Sequence, residues 1–337
     1  MFLATNNKNW NSKCPQKCEE ALFPMSNIPK WSASRCRAMG VFSALGFFDG
    51  LHLGHAALLK KVTERAAETG AHATVVTFDL HPDTLVFGKE VPLVNSSAER
   101  EDIIRRIYGI DSTIFLHFNR RLMQMPWDVF LDSLVQELSI TSIVVGHDFS
   151  FGYRGEGNPD RLQHWCLGRG ILCDVIPAVC VDGRVVSSTE IRSLLEEGRM
   201  EEANRLLGHP HMLSDFIRSG YHLGAKLGSP TINMRFPAGV VIPHHGVYSA
   251  KVYLDDGTDY LAVTNIGVRP TVSDSSRVSV ESHLLDFDGN LYGRHARVEF
   301  HHFQRPEQKF ESVEELSAQI QRDAEETRSW FAAQKVR

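Results

Sequence analysis

The sequence predicts an α/β chain of two domains: a parallel sheet flanked by helices, then a small antiparallel β-barrel with a C-terminal helix. Three observations carry this. From residue 41 to about 207, short apolar runs alternate with helical stretches, the pattern of a parallel sheet with helices on both faces. Beyond that point, apolar runs are separated by tight-turn signals with no helix between them. The length, 337 residues, suits two domains.

Taken in order, residues 1–38 are polar and aperiodic and are expected to form a disordered extension. Val41–Leu45 reads as the first strand. Residues 55–69 place Leu58, Leu59, Val62 and Ala66 on one helical face, and Gly70 ends the helix. Residues 74–78 are β-branched. Ser96 and Glu99, at Ser-x-x-Glu spacing, predict a capping box opening the next helix. Strands are expected at 113–116, 142–145 and 171–176, with helices at Trp127–Leu138 and 159–169. The first domain is taken as 39–207 and the second as 208–337. In the second, strands at 247–254, 260–266, 278–285 and 296–303 are joined by turns such as Asp256-Gly257 and Asp288-Gly289. Residues 312–334, rich in Glu, Ala, Gln and Arg, read as a capping helix.

The composition narrows the function. An apolar fraction of 42% can build real cores. A formal net charge of -5 disfavours a broad nucleic-acid surface, which needs a basic face, yet allows a basic pocket for one phosphate ligand. No apolar run approaches the roughly 20 residues of a membrane span. Residues 1–10 lack a secretory pattern, so a soluble, cytoplasmic protein is expected. The cysteines, Cys14, Cys18, Cys36, Cys166, Cys173 and Cys180, form no CxxC pair. A metal cluster of Cys14, Cys18 and Cys36 is the competing reading; the preferred one takes these as free thiols and the last three as small core residues.

The strongest local signal is Gly46-Phe47-Phe48-Asp49-Gly50-Leu51-His52-Leu53-Gly54-His55. It falls between a predicted strand and a predicted helix, where parallel sheets bind ligands. Gly46, Gly50 and Gly54 let backbone approach a ligand, and His52 and His55 flank Gly54 so that both imidazoles can face one phosphate. Such donors would stabilise charge building on an α-phosphate under attack. The competing reading, a zinc pair, lacks a third ligand at suitable spacing.

This motif resembles the signature of the HxGH nucleotidyltransferases, and its surroundings resemble the prokaryotic FAD synthetases among them. Residues 76–82, ending in Asp79-Leu80-His81-Pro82, support the resemblance, as do residues 144–152 around Asp148-Phe149 and Ser187-Ser188-Thr189-Glu190-Ile191-Arg192. The likeness implies a Rossmann-like nucleotidyltransferase domain. It implies ATP binding at Gly46, Phe48, Asp49, Gly50, Asp148, Ser187, Ser188, Thr189 and Arg192, with His81 and Pro82 on the flavin side. Read alone, Ser187 to Glu190 is a capping box, and His81-Pro82 a loop turn. Phe47 and Leu80 depart from the family's frequent Asn and Pro.

A second site is suggested by residues 220–233, which end in Gly228-Ser229-Pro230-Thr231-Ile232-Asn233. Glycines there suit phosphate, and Thr231 and Asn233 offer the hard oxygen ligands that Mg²⁺ prefers. Glu281, on a predicted strand, could take the proton of a primary alcohol. These segments resemble the riboflavin kinase module, which implies Mg²⁺-ATP at Gly228, Thr231 and Asn233 and a catalytic role for Glu281. Ala225 and Ser229 replace the family's usual Arg and Phe, and Lys226 stands beside the first change.

The resemblance therefore implies two ATP-dependent, Mg²⁺-requiring reactions, riboflavin to FMN and FMN to FAD, with neither nucleic acid nor membrane as partner. Three alternatives stay open: an adenylyltransferase with a weak or silent kinase, another HxGH nucleotidyltransferase, and a non-catalytic flavin-binding regulator.

Overall fold

The computed structural model of the chain describes residues 40–218, 231–268 and 278–334. Val41–Leu45 (β1), His72–Phe78 (β2), Ser112–Leu116 (β3), Ile140–Gly146 (β4) and Leu172–Ile176 (β5) form one parallel sheet in the order β3-β2-β1-β4-β5. β1 is buried along its whole length, as a central parallel strand must be. Helix α1 (Leu53–Thr69) buries Leu58, Leu59, Val62 and Ala66, the face its periodicity predicts, and Gly70 closes it in the left-handed conformation. Short α2 (Pro82–Phe87) follows β2. Helix α3 (Ser97–Tyr108) opens with the predicted capping box: Glu99 accepts from the Ser96 amide at 2.8 Å. Then come α4 (Arg120–Met123), α5 (Trp127–Leu138) and α6 (Pro159–Leu167). Separate apolar clusters fill the two sides of the sheet, one centred on α5 and α6 and one on α1 and α3.

The strand order reverses at β1 and β4. Parallel sheets open a crevice at such a switch point, outside the carboxyl ends of the strands. The loops following β1 and β4 meet there.

The second sheet is antiparallel: His211–Phe216 (β8), Thr231–Met234 (β9), Gly246–Leu254 (β10), Asp259–Val268 (β11), Val278–Leu284 (β12) and His295–Arg305 (β13), in the order β8-β13-β10-β11-β12-β9. Just past β8, the Arg218 amide donates to the Asn233 carbonyl at 2.9 Å, so the two edges meet and the sheet curls into a barrel. The C-terminal helix α9 (Val313–Gln334) is anchored by Asp323, which takes two hydrogen bonds from Arg305 at 3.0 and 2.7 Å.

Between the sheets lie the hairpin Cys180–Val181 (β6) and Arg184–Val185 (β7), then α7 (Ser188–Glu196) and α8 (Met200–Leu207). Neither the hairpin nor α8 is expected from the sequence. Leu194, Met200, Ala203 and Leu206 belong to the same buried cluster as the barrel residues Leu213, Tyr248 and Phe300. The boundary expected at residue 207 thus runs beside a shared core. Cys166 is buried as expected, but Cys173 is half-buried and Cys180 is exposed on the hairpin. Cys14, Cys18 and Cys36, and the extension at 1–38, lie outside the described residues. No described helix is long and apolar enough to cross a membrane.

Candidate active sites

The crevice at the switch point is a cleft of about 440 Å³, a size suited to a small-molecule ligand. Its walls gather segments far apart in sequence. Gly46, Phe48, Asp49, His52 and His55 come from the β1 loop, His81 and Pro82 from the start of α2, Asp148 from the β4 loop. Ser187, Ser188, Thr189 and Arg192 come from the start of α7. Gly50 alone among the residues expected there does not line it.

The β1 loop is held in an uncommon conformation. Phe48, Gly50 and Leu51 have φ of 53°, 75° and 49°, and the two non-glycine residues are fully buried. Left-handed φ at such residues costs on the order of 1–3 kcal/mol each and persists only where the surroundings over-determine it. His52 caps α1: its Nδ1 accepts from the His55 amide at 3.4 Å. An accepting Nδ1 leaves the proton of the neutral ring on Nε2. Burial pushes the His52 imidazole down to about 4, with Asp148 opposing. Burial and the neighbouring His52 likewise hold His55 well below the usual histidine range. The two rings stack at 3.7 Å, which two cations would resist and two neutral imidazoles accept. A Cβ on Gly54 would lie 2.9 Å from His52 Cε1, so any larger residue there displaces the His52 ring.

Asp49 is buried. One oxygen accepts from the Val94 amide at 2.7 Å, the other from Arg192 at 2.8 Å. Burial raises its pKa, against the Val94 hydrogen bond and Arg192. Ser187 caps α7 by accepting from the Glu190 amide, Ser188 donates to the Asp49 carbonyl at 2.9 Å, and Arg192 also reaches Thr189 at 3.1 Å. The β1 loop and the start of α7 are thereby one unit, with helix-end amides opening on the cleft. Across it, His81 caps α2 through Nδ1, and its ring meets the edge of Phe47 at 4.7 Å. Asp148 is largely exposed at the rim.

In the barrel, Asn233 on β9 lies directly opposite Glu281 on β12, and Glu281 lies opposite Asn265 on β11. Directly opposed residues share one face. Thr231, two residues before Asn233, is on that face too, whereas Val280, Ser282 and Leu284 point into the core. A hydroxyl, two amides and a carboxylate therefore share the face of the barrel wall turned away from its core, with Asn233 itself buried. Gly228, Ala225, Lys226 and Ser229 lie outside the described residues.

Comparison with known proteins covers both units. A model of FAD synthetase matches residues 36–190, and one of riboflavin kinase matches residues 207–331. A bifunctional riboflavin kinase/FMN adenylyltransferase from Pseudomonas fluorescens is 37% identical over 294 residues, covering 87% of this chain and 94% of that protein. The protein of the same description from Escherichia coli K12 is 34% identical over 297 residues, 88% of this chain and 94% of its own. The chain belongs to the bifunctional riboflavin kinase/FMN adenylyltransferase family. A crystal structure of a macrolide-efflux protein from Streptococcus pneumoniae shares the fold: TM-score 0.76, 25% identity, 86% of this chain and 95% of that one.

In this family member, sequence reasoning missed residues that hold the first site from behind. Arg100, fully buried, donates to the carbonyls of Phe47 and Phe78 at 2.8 and 2.9 Å. His209, at the entry to the barrel, approaches the Gly50 carbonyl with Nε2 at 3.2 Å. Gly50 itself packs against Val94 and Leu207, which accounts for its absence from the cleft lining. The capping box at Ser96 and Glu99 places Arg100 on the first turn of α3, but its neighbours come from β1 and β2, which no local pattern announces.

Proposed function

We propose that the switch-point cleft is where FMN is adenylylated and that the Thr231–Asn233–Glu281 face is where riboflavin is phosphorylated. The first assignment rests on the stacked neutral pair of His52 and His55 facing a helix start across one cleft. The FMN phosphate attacks the α-phosphorus of ATP, the new P–O–P bond forms, and pyrophosphate leaves. Charge grows on the α-phosphoryl oxygens, and His52 and His55 donate to them. Gly46, Phe48, Asp49 and Gly50 shape the nucleotide side of that loop, with Asp148 as a further nucleotide contact. Ser187, Ser188 and Thr189 offer hydroxyls and helix-end amides to the triphosphate, and Arg192 adds charge. His81 and Pro82 face the flavin. The neutral state of both histidines matters, since each then presents a donor without the solvation cost of a buried cation.

In the kinase, Glu281 accepts the proton of the ribityl hydroxyl as its oxygen attacks the γ-phosphorus and ADP leaves. Gly228, Thr231 and Asn233 hold the nucleotide. The Thr231 hydroxyl and Asn233 amide oxygen, on one face, are the oxygen donors that suit Mg²⁺, and bound Mg²⁺ would offset phosphate charge.

The test is incubation with riboflavin or FMN, ATP and Mg²⁺, with the flavins resolved by chromatography. FMN and FAD from riboflavin, and FAD from FMN, are expected. FAD from FMN with nothing from riboflavin would overturn the kinase half, and no product from either would overturn both.

A further inference from the structure

Among the described residues Arg100 forms no ion pair with a carboxylate; Asp49 and Asp79 act on its charge only at longer range. Its side chain is fully buried at the first turn of α3, behind the cleft rather than in it. Four of its hydrogen bonds go to two strand ends and the helix start. Nη1 reaches the Phe47 carbonyl at 2.8 Å and Thr77 Oγ1 at 3.3 Å; Nη2 reaches the Phe78 carbonyl at 2.9 Å and Ser97 Oγ at 3.1 Å. Phe47 follows β1 and opens the strained run at Phe48, Gly50 and Leu51 that leads to His52 and His55. Phe78 ends β2 and leads to His81. The same guanidinium lies 5.0 Å from the Phe47 ring centroid, and that ring also meets His81 edge-to-face at 4.7 Å.

We infer that Arg100 is a positioning residue for adenylyl transfer. By bridging the Phe47 and Phe78 carbonyls, it sets the separation between the loop carrying the two histidines and the segment carrying His81 and Pro82. This rests on the reading of the cleft given above. The β1–β2 ladder ends at Leu45 and Val76 and is prolonged by the Gly46 amide, which donates to the Val76 carbonyl at 3.2 Å. Past that point the Thr77 hydroxyl donates to the Phe47 carbonyl at 2.7 Å, and Arg100 holds that carbonyl, Thr77 Oγ1 and the Phe78 carbonyl together. A planar fork offers two carbonyls two donors at a fixed spacing; an ammonium on a flexible stem has donors but no such spacing. Removing Arg100 leaves the Phe47 carbonyl on the Thr77 hydroxyl alone and the Phe78 carbonyl without its guanidinium donor, so the two halves of the site stay intact but are held less firmly together. A displacement of about 1 Å in reacting groups can cost on the order of 10²-fold in rate.

The experiment compares the full-length chain with Arg100→Met and Arg100→Lys, measuring FMN adenylylation and riboflavin phosphorylation on the same preparations. Arg100→Met is expected to lower kcat for FAD formation by on the order of 10²-fold, with KM for ATP and FMN within about threefold. FMN formation from riboflavin stays at the wild-type rate, which certifies the fold. Arg100→Lys recovers only part of kcat. Wild-type kcat in Arg100→Met, a loss confined to KM, or an equal loss of both reactions would each overturn the inference. Should Arg100→Met prove insoluble, Arg100→Lys decides: reduced adenylylation beside full kinase activity supports the bridge, and full adenylylation refutes it. A wild-type chain that makes no FAD refutes the cleft assignment instead.

Discussion

Acidification should unfold this protein partly through His52, and the size of that effect follows from its burial. The ring is pushed from an ordinary 6.5 to about 4, chiefly by desolvation. A depressed folded-state pKa means that the unfolded chain binds the proton first. The stability contributed by the neutral ring is complete above about pH 6.5 and is lost as pH falls from there through 4. At about pH 5 the unfolded chain is 1.5 units below its own pKa while the folded ring is still neutral, a loss of about 2 kcal/mol. His52→Asn keeps a side-chain oxygen for the His55 amide, since Asn is a good N-cap, and removes the titration. Urea unfolding followed by circular dichroism at about pH 7.5 and about pH 5 gives the difference. The wild-type chain should lose about 2 kcal/mol more than the variant over that interval. His209 and His211 are also held below the usual range by burial and cancel, since they remain in both chains; His55 loses in the variant the part of its depression that comes from His52, which widens the difference in the same direction. Equal losses in the two chains would refute the picture of a buried neutral imidazole.

Three further outcomes are expected. Glu281→Gln should lower FMN formation from riboflavin by at least about 10²-fold, the usual worth of a general base, while FAD formation from FMN is unchanged; chromatography of the two reactions reads both. Gly54→Ala puts a Cβ 2.9 Å from His52 Cε1, so the His52 ring must move. FAD formation should fall by about tenfold or more with kinase activity retained, measured as initial rates. Arg305→Ala takes the only cation from the carboxylate of Asp323, which is 2% exposed, and among the described residues leaves it the Gln319 amide as side-chain donor at 2.7 Å. Thermal melts should show a loss of about 3–5 kcal/mol, the range for breaking a buried pair on one side.

Local rules reached far into this fold. The strands at β1 to β5, the face of α1, the span of α5 and the Ser96 cap were all legible because period, cap and turn chemistry act within a few residues. The hairpin at Cys180–Val181 and Arg184–Val185 was not, since two-residue strands carry no period. Helix α8 was missed because its buried face, Met200, Ala203, Leu206 and Leu207, packs largely on barrel residues supplied later in the chain. The cleft residues were legible from a motif with a resemblance behind it.

What the motif could not supply is why the loop keeps its shape. Phe48 and Leu51 hold left-handed φ at full burial, and the cost is met by groups distant in sequence: Arg100 on the Phe47 carbonyl, Arg192 and Val94 on Asp49, His209 on the Gly50 carbonyl. His209 is supplied by the entry to the barrel. The Glu99 carboxylate next to Arg100 also accepts from the Ser214 amide of β8 at 2.9 Å. The histidine pair of the α/β unit is therefore braced in part by the barrel unit. The two units share not only a core but the support of one strained loop, and that is a physical reason for carrying both on a single chain.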